Sequence, residues 1–226
     1  MKRCRTSRVG SLSRRNTLRM GHRIYRAIDG YASRLVHLIG ESYGEDTVQR
    51  AWREFTADRG QTFLGFEANA ELFFSWLFHR WAPQREKGDA VLDETLYGVS
   101  PTRAYLTRRA GGLNPLLRQY LQSCLATSPR FYEVDSCIAG QGFRARDVFT
   151  NTVCTVSEVV AATSLERGDI LYAHLIPMEQ IVLLDAISPL SFPPHSKRRL
   201  LQMCSPQRSG GELRDLYFRL CDIAAR

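Results

Sequence analysis

Few side chains in this 226-residue chain have the type and spacing to do chemistry. Cys154 and His174 form the one thiol–imidazole pair that short connections could bring together, and such a pair serves nucleophilic catalysis. No acid stands ready to orient the imidazole, and no glycine-shaped loop offers an oxyanion hole. An enzymatic reading rests instead on His79, His174 or Asp147 sharing a pocket with a second titratable group. For metal chemistry, the six cysteines (Cys4, Cys124, Cys137, Cys154, Cys204 and Cys221) contain no CxxC pair and no Cys/His cluster at ligand spacing. Cys137 and Cys154 are expected on neighbouring strands with His174 on a third, read as small buried hydrophobes and a strand histidine. AGQGF at 139–143 joins two strands, so it has no helix start to receive phosphate. Asp93 and Glu94 are adjacent on an expected helix and point apart. No catalytic residue, cofactor or metal ligand follows from these patterns.

Binding chemistry is better represented. Tyr132, Phe143, Arg144, Arg146 and Tyr172 fall on expected strands, and small barrels often bind nucleic acid through aromatic and basic residues on one face. Arg144 and Arg146 are two apart and share a strand face, whereas Phe143 projects from the other. Lys197, Arg198 and Arg199 make a second basic cluster, and Arg108 with Arg109 a third. The formal net charge of +8 is unevenly placed. Nine of the 31 basic residues lie in positions 1–26, before the first acid at Asp29, which leaves 22 basic against 23 acidic residues in the remainder. The basic character therefore belongs to an arm, read as disordered over 1–21, that could touch phosphates or acidic lipids. SRRNTLR at 13–19 has a twin-arginine look, but the charged MGHRIYRAIDG after it is no h-region. No apolar run approaches the roughly 18–20 residues of a membrane span. The cysteines read as reduced cytosolic thiols, and the expected location is cytoplasmic.

The elements that must carry these residues divide the chain in two. Helical spacing runs over 22–40, with Ile24, Ile28, Tyr31, Leu35, Leu38 and Ile39 on one side, then over 43–58 and 67–81. The last of these is apolar nearly all round, so it is expected to be central. Ser100-Pro101 and Asn114-Pro115 each open a helix. After Pro129 the period changes from about 3.6 to 2. Short strands with turns at Gly140–Gly142, Asn151, Gly168 and Met178–Glu179 give five segments in about 55 residues, which must close to hide their edges. The expected fold is α+β: a helical domain over 22–128, a small antiparallel five-stranded barrel (SH3-like or OB-like) over 129–192, and C-terminal helices over 193–226.

One resemblance extends this reading. FFSWLFHRW, then RFYEV with G-x-G-F-x-x-x-D-x-x-T at 140–150, then RGDIL at 167–171 resemble a group of bacterial proteins that often carry a SEC-C metal-binding motif. That motif is absent here, so the resemblance implies fold and brings over no zinc role or catalytic residue. The sequence thus points to a non-enzymatic binding or adaptor protein, with nucleic acid as the leading ligand through Arg144, Arg146, Tyr132, Tyr172, Lys197, Arg198 and Arg199. The alternatives are a protein-interaction module that takes a peptide and an enzyme with a site in a helix–barrel cleft.

Overall fold

The computed structural model describes residues 19–44, 46–57, 65–84, 97–109, 111–138, 140–158, 160–179, 181–203 and 210–224. The arm before residue 19, Cys4, Cys204 and the Asp93–Glu94 pair lie outside the described residues. A helix over 19–28 (α1) comes first, so the boundary expected at residue 21 falls inside a helix. Gly30 then takes φ +67°, and Tyr31–Tyr43 (α2) starts afresh. The single helix expected over 22–40 is therefore two, because a left-handed residue cannot continue a right-handed coil. Next come Thr47–Phe55 (α3), Phe66–His79 (α4), Pro101–Arg108 (α5) and Pro115–Ala126 (α6). Both proline-led helices start where a missing N–H costs nothing. Asn114 caps α6 by accepting from the Leu116 amide at 2.9 Å.

The change of period at Pro129 produces the strands it implies. Arg130–Ile138 (β1), Gly142–Asp147 (β2), Val153–Val156 (β3), Ile170–Pro177 (β4) and Val182–Ile187 (β5) close into a barrel in the order β1-β2-β3-β5-β4. Four of the pairings are antiparallel; the closing one, β3 with β5, is parallel, so the barrel is mixed rather than wholly antiparallel. Ser196–Met203 (α7) and Gly210–Ala224 (α8) complete the chain.

Strand β4 explains how barrel and helices become one body. Its residues are buried from Ile170 to Ile176, on both faces. Leu171, Ala173 and Leu175 fill the barrel with Val134, Phe143, Ala145 and Val156. Ile170 and Tyr172 face the other way, into a core built with α2, α3, α4, α5 and α8. Ile176 meets Leu117, Leu121 and Cys124 of α6. Helix α4 lies across this junction with Leu72, Phe73, Leu77 and Phe78 buried.

The ladder contains two register shifts. On β1, Val134 pairs with Ala145 and Ser136 with Arg144, which leaves Asp135 as an extra residue. On β5, Leu184 pairs with Leu175 and Ala186 with His174, which leaves Asp185 as another. A bulge turns its extra side chain off the regular alternation. Both bulged residues are aspartates, and both collect donors.

Gly142 is the tightest point of the barrel. Its φ is +137°, and a Cβ there would lie 1.9 Å from the Val156 carbonyl oxygen. Gly142→Ala is expected to cost at least about 3 kcal/mol in denaturant unfolding, since backbone on the paired strand must move. Gly140, at φ +67° with open space around it, should cost about 1 kcal/mol on the same change.

Candidate functional site

Two helical pairs at i,i+4 spacing aim at the β5 bulge. Ser75 and His79 come from α4, Tyr120 and Cys124 from α6. Tyr31 arrives from the first turn of α2, and His174 from the helix-facing side of β4. At their centre is Asp185, whose side chain is 3 % exposed.

Its two oxygens are shared out among four elements. Oδ1 accepts from the Tyr31 hydroxyl at 3.2 Å and from the Tyr120 hydroxyl. Oδ2 accepts from Ser75 Oγ at 2.6 Å and from His174 Nδ1 at 3.0 Å. A carboxylate has about four lone-pair sites, and all four are taken. Burial alone would raise the Asp185 pKa, but the hydrogen bonds it accepts, that from His174 foremost, outweigh it and hold the carboxyl well below the usual range. The group is an anion at neutral pH.

The ring partners decide what the cluster can do. Ser75 spends its proton on Asp185, so its 2.9 Å contact with His174 Nδ1 shares the imidazole's N–H. Serine and aspartate therefore sit on the same ring nitrogen. A Ser–His–Asp relay needs them on opposite nitrogens, and here the far nitrogen, Nε2, bonds Thr127 Oγ1 at 3.0 Å. Nucleophilic activation of Ser75 is not built in. His79 Nδ1 lies 2.9 Å from Thr102 Oγ1. Its Nε2 is buried without a hydrogen-bond partner and lies 3.8 Å from Asp185 Oδ2, too far for such a bond. Burial lowers the His79 pKa, so that ring is neutral. Burial also raises the Tyr120 hydroxyl and the Cys124 thiol well above their ordinary values.

Above the cluster the surface is hollowed twice. One hollow, about 680 Å³, lies between α2 and α4, with Ala32, Val36, Ala70, Phe74 and Phe78 as apolar walls and Tyr31, Ser75 and Asp185 at its polar end. A second, about 640 Å³, runs over β4 and β5, past Glu158, Leu165, Leu184, Ile187 and Ser188. Glu71 and Asp185 line both. Among the described residues, neither is lined by a lysine or an arginine.

The residues singled out from the sequence are placed otherwise. Arg144 and Arg146 share a face as expected, but both reach the bulged Asp135, at 3.4 and 3.1 Å. Lys197 Nζ is 2.5 Å from Glu133 Oε2, while Arg198 and Arg199 are exposed. Tyr172 is 2 % exposed and stacks on Tyr217 with ring centroids 4.9 Å apart. Tyr132 is largely buried, and burial raises its pKa. Among the described residues the barrel thus presents no aromatic platform to stack a base, because Phe131 and Tyr172 are spent on the helix–barrel core and Phe143 and Tyr132 on the barrel interior. Arg108 and Arg109 meet Arg26 and Arg34 around a separate hollow that also holds Asp29 and Glu41. Cys137 and Cys154 are not on neighbouring strands: β2 separates them, and Cys137 Sγ donates to the Leu165 carbonyl at 3.1 Å. His174 points away from Cys154, into the helices. Asp147 pairs with Arg130 at 2.5 Å and caps the Phe149 and Thr150 amides.

Asp185 is the residue that sequence reasoning missed. Its signal is a lone acid in the otherwise apolar VLLDAI, as His174 is a lone polar residue in ILYAHLIP. Asp185→Asn should lower stability by about 3–5 kcal/mol, because an amide presents N–H to donors in a dry site. Arg144→Ala, which removes one exposed member of an ion pair, should cost under about 1 kcal/mol in the same unfolding titration. No family model, curated protein or solved structure matches the chain.

Proposed function

We propose that this protein is a non-enzymatic interaction module, and that the cleft over Asp185 takes a peptide segment combining basic and apolar side chains. The observation that carries this reading is the charge of the cleft. In a chain of net charge +8, two adjoining hollows carry the carboxylates of Glu71, Glu158 and Asp185 among apolar side chains and, among the described residues, no lysine or arginine. Such a groove suits the helix-in-groove or extended-segment modes of peptide recognition, where apolar anchors give area and rim charges select the partner. Val36, 46 % exposed, Phe74 and Phe78 supply the apolar wall. The lone pairs of Asp185 are taken by the protein's own donors, so toward the cleft it contributes field, and Glu71 and Glu158 are the carboxylates that meet cationic side chains.

The same observation weighs against a phosphate backbone in this cleft, since three carboxylates repel it. It also weighs against chemistry there. The Tyr31 hydroxyl is held neutral by burial, and the two imidazoles are enclosed beneath the surface.

Fluorescence anisotropy with labelled peptides tests the proposal. A peptide alternating arginine and leucine should bind, weaken as salt is raised, and lose at least about 10-fold in affinity on the double substitution Glu71→Lys and Glu158→Lys. An acidic peptide of the same length should not bind. Equal binding by the double variant, or preference for single-stranded or duplex oligonucleotides over every peptide, would overturn it.

A further inference from the structure

Beneath the cleft the structure leaves one polar atom unaccounted for. His174 and His79 flank the same carboxylate, 6.0 Å apart by ring centroid. Both nitrogens of His174 are bonded, to Asp185 and to Thr127. His79, 2 % exposed, bonds only through Nδ1, and its Nε2 points into a dry interior with no partner. Neither tautomer repairs this. With the proton on Nδ1, a lone pair is stranded beside a carboxylate; with the proton on Nε2, the Asp185 carboxylate is 3.8 Å away and no hydrogen bond forms. An unmet buried imidazole nitrogen costs about 1–3 kcal/mol, so its presence needs a cause.

What surrounds that nitrogen supplies one. A ring nitrogen of His79, Cys124 Sγ and a carboxylate oxygen of Asp185 lie within 4.8 Å of one another, and Nε2 is the His79 nitrogen left free of other partners. We propose that these three side chains bind a zinc-class divalent cation, joining α4, α6 and β5, with the ion taking the place of one of the hydrogen bonds that Asp185 accepts. An ion among three atoms so spaced is at most about 2.8 Å from each. Inward shifts of at most about 0.5–0.8 Å then reach the ~2.0–2.3 Å of zinc bonds to nitrogen, oxygen and sulfur. One imidazole, one thiolate and one carboxylate form a borderline-soft donor set, which favours zinc over calcium or magnesium.

The surroundings fit a liganding histidine. Thr102 Oγ1 holds Nδ1 of His79, the outer contact that fixes a metal ligand's tautomer and ring angle. Charge fits as well. Binding displaces the Cys124 proton to solvent, and thiolate plus carboxylate then cancel the two positive charges of the ion, so the enclosed site becomes neutral. This proposal does not depend on what the cleft binds. The three ligands stand at positions 79, 124 and 185, too far apart in the chain for any spacing rule to connect them.

Cobalt(II) is the probe, added to the full chain under reducing, anaerobic conditions. The expected result is saturation at one equivalent, with a thiolate-to-cobalt charge-transfer band and visible d–d bands of a low-symmetry four-coordinate site, displaced by zinc. Cys124→Ser should abolish the charge-transfer band. His79→Gln should weaken binding by more than about 10-fold. Thr102→Val, which spares all three ligands, should weaken it by about 10–100-fold. Circular dichroism melts of each variant separate lost binding from lost folding, and the wild-type spectrum stands whether or not a variant folds. No charge-transfer band in the wild type, or a band that survives Cys124→Ser and so arises at another cysteine, overturns the proposal.

Discussion

Burying the Asp185 carboxylate is the constraint around which the rest of the molecule is arranged. Removing such a group from water costs several kcal/mol even after relaxation, and each hydrogen bond to a charged group returns about 1.5–3 kcal/mol. One or two bonds would not hold the charge inside; four do. Those four come from α2, α4, α6 and β4, so the carboxylate stays ionised only while the helices and the barrel keep their mutual positions. The bulge on β5 makes this geometry reachable. Without the extra residue, Asp185 and Ala186 could not both face the helices, where Ala186 joins the main core.

The same junction decides the fate of the aromatic residues. Phe131 and Tyr172 on the barrel's outer surface pack against each other, Phe192 and Tyr217, with ring centroids 4.9 to 6.4 Å apart. A small barrel that works alone keeps such residues in solvent for ligands. Here α4 and α8 cover them, and the apolar area gained fastens the two halves together. The proposed docking cleft accordingly lies on surfaces the helices leave open, at the seams beside α4.

How far this could be read from sequence follows from the range of each signal. The barrel was legible because the alternation over FRARDVF, the short apolar run ILYAHLIP and the glycine turns are local, and Gly142 and Gly168 do take positive φ. The break at Gly30 was hidden because Ile24, Ile28, Tyr31 and Leu35 keep a helical period across it. The pairing of Arg144 and Arg146 was hidden by the bulge at Asp135, since a slip of one residue turns an acid onto the face of the arginines and no propensity announces it. Asp185 was hidden for the same reason. An acid in a strand reads as a solvent-facing position, and only the tertiary meeting of residues 31, 75, 120 and 174 shows that it is not.

The buried anion and the cleft above it are physically coupled. Rim charges such as Glu71 are screened by salt, whereas a carboxylate sealed under Ser75 and Tyr31 is screened far less. The floor of the cleft therefore keeps a fixed negative potential that the rim only modulates. A divalent cation held by His79, Cys124 and Asp185 would turn the two ionised ligands and the ion into a neutral unit and remove that potential. A cationic segment in the cleft and a metal beneath it would then oppose each other, and by linkage each would weaken the other by the same factor. The two proposals are independent as sites, yet the charge of Asp185 makes them antagonists in energy.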